Sequence, residues 1–187
     1  VVALAILAQD VPVIKQRQLP KFAFRGLGKQ FVIFMIIVSI FDLGNSSDAF
    51  LVLRAQDRGA SVLGVLGMLA IFNLVYTLAS IPFGALSDRV GRRKIIAGGW
   101  LLYAFVYLGF AMAGQTWHIW ILYALYGLYY GLTYGTSKAL VADIVPAELH
   151  GTAYGTYNAV LGILDLPASL IAGVLWQGIG WWGGFGA

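Results

Sequence analysis

Cysteine is missing from all 187 residues, and the two histidines, His118 and His150, lie 32 positions apart. Disulfide frameworks, iron–sulfur clusters, zinc fingers and His-rich metal sites are therefore without ligands, and neither a metal nor a cofactor is expected. Charge is almost as scarce. Lys, Arg, Asp and Glu together make up 11% of the chain, less than half the ~25% usual in a soluble domain. So few charged groups cannot cover a water-exposed surface, which excludes an aqueous globule. A signal peptide is not expected at Val1–Ala8 either, because no basic segment precedes it and no small-residue cleavage site follows.

What fills the chain is apolar. Hydrophobic residues account for 60% of it and the mean hydropathy is +0.82. Apolar runs bounded by Gly, Pro or charge predict five spans, Phe31–Leu53, Ser61–Leu86, Ile95–Gly114, Trp117–Val141 and Thr152–Trp176. At about 1.5 Å per residue each is long enough for the roughly 30 Å hydrocarbon layer. The fold class is all-α, a polytopic transmembrane helical bundle with the lipid bilayer as its main partner. Val1–Ala8 and Trp181–Ala187 are apolar but too short to cross, and each reads as part of a helix that continues elsewhere. The organisation expected is a helix end with a basic connector over residues 1–30, followed by a helical bundle over 31–187.

A net charge of +4 and a pI near 9.4 would suit nucleic acid if the cations were spread over one surface. They are sorted by loop instead. Lys15, Arg17, Lys21, Arg25, Lys29, Arg89, Arg92, Arg93, Lys94 and Lys138 fall on one side of the alternating spans, and only Arg54 and Arg58 on the other. The positive-inside rule then places residues 9–30, 87–94 and 142–151 in the cytoplasm, so the basic pI reflects topology and no nucleic-acid partner is expected. Trp117, Trp120, Trp176, Trp181 and Trp182 fall on the outer side, where interfacial anchors belong.

Polarity within the spans is uneven. The third has nothing more polar than Tyr103 and Tyr107 and is expected to face lipid, whereas the other four carry polar stripes. Asp42, Asn45 and Asp48 share one arc of the first span, widened by Ser46 and Ser47 and interrupted by Gly44. Asn73, Tyr76, Thr77 and Ser80 line one face of the second span, Tyr123, Tyr126, Tyr130, Tyr134 and Ser137 a face of the fourth, and Tyr154, Asn158 and Asp165 belong to the fifth. In hydrocarbon such groups must meet a partner or water, so the stripes line either a shared cavity or helix interfaces. Candidates for a substrate or proton pathway are Asp42, Asn45, Asp48, Asn73, Tyr130 and Asp165. Asp42 leads them, because it lies at mid-span with no basic residue within its own helix turn. Asp165 precedes Leu166 and Pro167 and could equally serve a kink. Gly127, Gly131 and Gly135, like Gly151 and Gly155, have the i+4 spacing that lets helix backbones approach.

The most specific motif runs from Gly84 to Lys94 between the second and third spans. It reads as a tight basic turn, with Gly91 relieving backbone strain and Asp88 placed to meet a base or a helix N-terminus. Gly84, Leu86, Asp88, Arg89, Gly91, Arg92 and Arg93 match a loop signature, and the chain here resembles the major facilitator superfamily. The stretches Gly44–Leu51, Lys138–Asp143 and Val145–Gly155 resemble C-terminal halves of bacterial members. His150 departs from the arginine usual in them, and Tyr134 from a frequent acid.

The resemblance implies half of a twelve-helix fold, covering helices seven to eleven with parts of six and twelve. It implies a secondary active transporter that works by alternating access, with an N-terminal half of the same protein as partner and a small organic solute, and protons, as cargo. Drug-like efflux in a bacterial inner membrane is the family expectation, with Asp42, Asn45 and Tyr130 facing solute or proton and Asp88 locking one conformation against the other half. No enzymatic role is implied. A sensor or assembly factor that keeps the fold without transporting is the competing class.

Overall fold

The computed structural model describes residues 26–45 and 48–179. Every regular element among them is helical. After α1 (Gly28–Leu43) and α2 (Ala49–Asp57) come three long helices, α3 (Val62–Val90), α4 (Arg92–Met112) and α5 (Thr116–Ile144). A 3-10 turn at Ala147–Leu149 then leads into α6 (His150–Ile179). The connector cations Lys15, Arg17, Lys21 and Arg25, the pair Ser46 and Ser47, and the stretch Trp181–Ala187 lie outside the described residues.

The first expected span is two helices. α1 ends at Gly44, whose N–H reaches Phe41 O at 3.1 Å, and Asn45 N–H reaches Asp42 O at 2.9 Å. Gly44, Asn45, Ser46, Ser47 and Asp48 in succession favour local turn bonding over a continuous helical ladder, so the polar arc read from the sequence is where the helix stops. Three helical stretches, Val62–Val90, Arg92–Met112 and Ala147–Leu175, are long and apolar enough to cross a membrane.

Helix ends extend beyond the hydropathy limits. α3 runs to Val90, four residues past the expected Leu86, because hydropathy marks the exit from the bilayer and not the last helical hydrogen bond. Its N-terminus is capped by Ser61, whose Oγ accepts from Gly64 N–H at 3.1 Å. Its C-terminus is set by Gly91 at φ +105°, a backbone conformation that glycine adopts without steric cost. That single residue separates α3 from α4.

Glycine decides how closely α3, α4 and α5 pack. A Cβ on Gly127 would lie 2.4 Å from Phe72 O, and one on Gly131 would lie 2.6 Å from Ala79 Cβ, so the backbones of α3 and α5 meet directly there. Gly99 admits Thr133, and Gly109 admits Leu122, between α4 and α5. Gly135, Gly151 and Gly155 border open space among the described residues, so the packing reading of the glycine spacing applies to Gly127 and Gly131 but to neither member of the second pair.

The core is divided by depth. One cluster joins α2 to α5 through Leu51, Met68, Phe110, Ile119 and Tyr126; the other joins α1, α4, α5 and α6 through Phe31, Met35, Ile96, Val141 and Tyr157. The helix break lies in the chain between them. α4 exposes Leu101, Phe105 and Met112 and buries Tyr103, Val106, Tyr107 and Phe110 against its neighbours. Where the solvent is itself apolar, low polarity does not separate a lipid-facing helix from a packed one. Trp117 is exposed, whereas Trp120 lies over Gly67 and packs on the core.

Candidate functional site

The helix break gathers most of the expected polar residues. Asp42 is the last acidic group of α1, only 8% exposed, and follows Phe41, which stacks on Trp100 with ring centroids 4.7 Å apart. The side chain of Asn45 faces its carboxylate, yet Asp42 Oδ2 and Asn45 Oδ1 are both buried without a hydrogen-bond partner. Each is a shielded, unsatisfied acceptor, and at Asp42 Oδ2 a proton or another donor is stabilised. Tyr103 Oη donates to Gly44 O at 3.2 Å and ties the end of α1 to α4.

Asp48 opens α2, but its side chain makes no cap. It reaches across the bundle instead, and Asp48 Oδ1 accepts from Tyr126 Oη at 2.6 Å. Asp165 belongs to α6 and lies within electrostatic range of both Asp42 and Asp48. Tyr130 on α5 feels Asp48 and Asp165. Asp42, Asn45, Asp48, Tyr130 and Asp165, drawn from α1, α5, α6 and the break, therefore form one electrostatic neighbourhood.

Asn73 makes its hydrogen bond within one helix. It is exposed on α3 and satisfied within that helix, Nδ2 donating to Leu69 O at 2.8 Å, and Thr77 and Ser80 likewise bond to carbonyls one turn back. Beside it an aromatic ladder covers the α3 and α5 faces. Phe72 meets Tyr130 edge-on at 5.2 Å, Tyr76 meets Tyr130 at 5.9 Å and Tyr134 at 6.2 Å, and Lys138 Nζ lies 4.0 Å above the Tyr134 ring. The lysine thus finds a π face at the position where the related halves often carry an acid.

The loop signature occupies the basic end of the bundle. Gly84 to Val90 are the last two turns of α3, Gly91 is the hinge, and Arg92 and Arg93 begin α4. Arg92 bridges two acids: its Nη2 lies 3.1 Å from Asp88 Oδ1, and its Nε donates to Asp143 Oδ2 at the end of α5. Ser87 is buried, its Oγ donating to Gly84 O at 2.7 Å, whereas Leu86, Arg89 and Arg93 are exposed. Close by, His150 Nε2 lies 3.1 Å from both Ala142 O and Val145 O, so its N–H caps the C-terminus of α5. A cleft of about 310 Å³ near Arg93, between α1, α4 and α5, is lined by Ile33, Ile37, Ile96 and Trp100 and holds none of the acids.

Sequence reasoning missed Arg54 and undervalued Tyr126 and Asp143. Arg54 is 1% exposed, and its guanidinium donates to Phe110 O, Ala111 O and Ala113 O at 3.0–3.2 Å. It closes the C-terminus of α4, where a cation also meets the negative end of the helix dipole. A lone arginine directly after the apolar run Ala49–Leu53 was the available signal.

With this geometry in view, the comparisons decide the family. The family model for the Major Facilitator Superfamily matches residues 30–187. The chain belongs to that superfamily. An MFS-type transporter of Methanocaldococcus jannaschii is 37% identical over 84% of this chain and 41% of its own length. The class C tetracycline resistance protein of Escherichia coli is 34% identical over 64% of this chain and 30% of its own. A Na(+), Li(+), K(+)/H(+) antiporter of Planococcus maritimus is 26% identical over 60% of this chain and 28% of its own. The chain thus spans less than half the length of these relatives. It is an integral membrane protein from a family of transporters rather than enzymes.

Proposed function

We propose that the chain is the C-terminal half of a secondary active transporter that moves small organic solutes by alternating access, coupled to protons through Asp42. The observation that carries this reading is the unpartnered Asp42 Oδ2, buried at the break between α1 and α2 beside the equally unpartnered Asn45 Oδ1. Burying an acceptor in this way costs free energy unless a proton, solute or water meets it during the cycle. A helix broken at membrane depth beside such a group is a recurrent arrangement for solute and ion sites in transporters. Asp48, Asp165 and Tyr130 complete the polar wall, and Asn73 borders it on α3. The names of two relatives, one for tetracycline resistance and one for cation/proton antiport, agree with efflux and proton coupling.

The second bundle of the cycle is an N-terminal half of the same protein. The signature of Gly84, Leu86, Asp88, Arg89, Gly91, Arg92 and Arg93 serves as its conformational lock, the Asp88–Arg92–Asp143 network holding one state. The basic end faces the cytoplasm across a bacterial inner membrane.

The test uses the complete transporter in liposomes with an imposed pH gradient and its best solute. Asp42→Asn keeps shape and hydrogen-bonding capacity, so folding and downhill exchange persist while accumulation falls to the equilibrium ratio. Accumulation by Asp42→Asn equal to the parent overturns the coupling role.

A further inference from the structure

The cleft between α1, α4 and α5 has its polarity sorted by depth. At its mouth, on the basic end of the bundle, stand Gln30 near the start of α1 and Arg93 in the first turn of α4. One turn deeper come Ile33 and Ile96, and one turn further Ile37 and Trp100, whose ring is held by its stack on Phe41. Arg93, Ile96 and Trp100 follow at i, i+3 and i+7, and Gln30, Ile33 and Ile37 repeat that spacing, so one face of each helix forms a wall. Arg92, turned about 100° from Arg93, is committed to Asp88 and Asp143. At about 1.5 Å per residue the α4 wall runs about 10 Å down from Arg93, within one half of a hydrocarbon layer roughly 30 Å thick. Lys29 and Lys94, both exposed and each next in the chain to a lining residue, add positive charge at the mouth. Among the described residues no acid lines the cleft.

We propose that this cleft binds an anionic phospholipid from the leaflet at the basic end, its phosphate on Arg93 and Gln30 and one acyl chain against Ile33, Ile37, Ile96 and Trp100. A guanidinium and a phosphate form charge-assisted hydrogen bonds, and basic recesses between membrane helices take lipid head groups. The cleft holds about 310 Å³. A helix 10–12 Å across needs more than about twice that volume over the same depth, whereas a hydrocarbon chain fits. Such a lipid site stands whether or not the chain transports, because the acids of the proposed pathway take no part in it.

The test uses the complete purified transporter in detergent and native mass spectrometry, with phosphatidylglycerol and phosphatidylcholine of the same chain length added in equal amounts. The expected result is one retained phosphatidylglycerol, bound at least about fivefold more tightly than phosphatidylcholine. Arg93→Gln brings the two lipids within about twofold of each other. Ile37→Trp, at a position already 46% exposed, fills the cleft without changing charge and weakens phosphatidylglycerol retention about fivefold. Equal retention of both lipids by the unmodified protein overturns the proposal, whatever the variants do to folding, since it leaves only a general lipid coat. No retained lipid overturns it as well and assigns the cleft to a protein segment of the complete chain. Retention unchanged in Ile37→Trp reduces the effect to surface charge, and displacement by glycerol phosphate reduces it to an anion site. Either result removes the acyl-chain slot and with it the proposal.

Discussion

Arg54 shows how much one side chain can hold in a membrane bundle. Its three acceptors are carbonyls at the end of α4 that have no intrahelical partner, and water is scarce there. Arg54→Met keeps the apolar stem and removes the donors. Charge-assisted hydrogen bonds contribute roughly 1.5–3 kcal/mol each, but part of the loss is recovered by relaxation and water, so a net cost of about 2–4 kcal/mol is expected. Thermal unfolding in detergent should show a clearly lowered Tm for Arg54→Met and an intermediate value for Arg54→Lys, which retains charge but not the planar fork. An unchanged Tm in the Met variant would mean that these carbonyls are satisfied without it. Asp48 makes a related point: its carboxylate serves Tyr126 and leaves α2 without a side-chain cap, so local helix chemistry yields to the cross-bundle contact.

At the scale of helices, the contact of α3 with α5 depends on the absence of a few carbons. Gly127 and Gly135 belong to one i+4 series but differ in what surrounds them, a backbone oxygen at 2.4 Å for the first and open space for the second. Gly127→Ala must push the backbones apart, and overpacking of this kind costs about 1–3 kcal/mol. Gly135→Ala meets nothing, and its higher helix propensity favours the helix by up to about 1 kcal/mol. Paired thermal melts should therefore move in opposite directions. Equal losses at both positions would show that the close approach of α3 and α5 is not what Gly127 provides.

For the whole molecule, the informative feature is the network at the basic end. Arg92 joins the end of α3 to the end of α5 across Gly91 and so ties α3, α4 and α5 together there. Asp88 and Asp143 are 61% and 50% exposed, and ion pairs so open to solvent contribute at most about 1 kcal/mol to folding. The same energy suffices to bias two conformations that differ little in free energy. Asp88→Asn in the complete transporter should leave expression and Tm near those of the parent while cysteine-accessibility labelling shifts toward one side of the membrane. Parent-like labelling with normal transport would remove the locking role. High salt should reproduce part of the shift, since exposed pairs are screened.

The sequence by itself determined that this is a helical membrane bundle of the major facilitator type, because hydropathy, loop charge and the signature from Gly84 to Arg93 each depend on local composition. It also singled out Asp42, Asn45, Asp48 and Asp165, since acids and amides in apolar runs stand out against their neighbours. It left open which face of α4 packs on protein, because an apolar face turned toward protein and one turned toward lipid have the same composition. It named Asn73 as a further candidate, and the structure adds that its Nδ2 donates to Leu69 O on its own helix. Only the tertiary structure decided that the first span breaks into two helices, that Tyr126 reaches Asp48 over 78 positions, that Arg54 closes α4, and that Arg92 joins Asp88 to Asp143. Such pairings arise from the crossing geometry of helices, which is set by glycine contacts such as that of Gly127 with Phe72 O. No local pattern records which distant carbonyl, hydroxyl or carboxylate that crossing brings within reach.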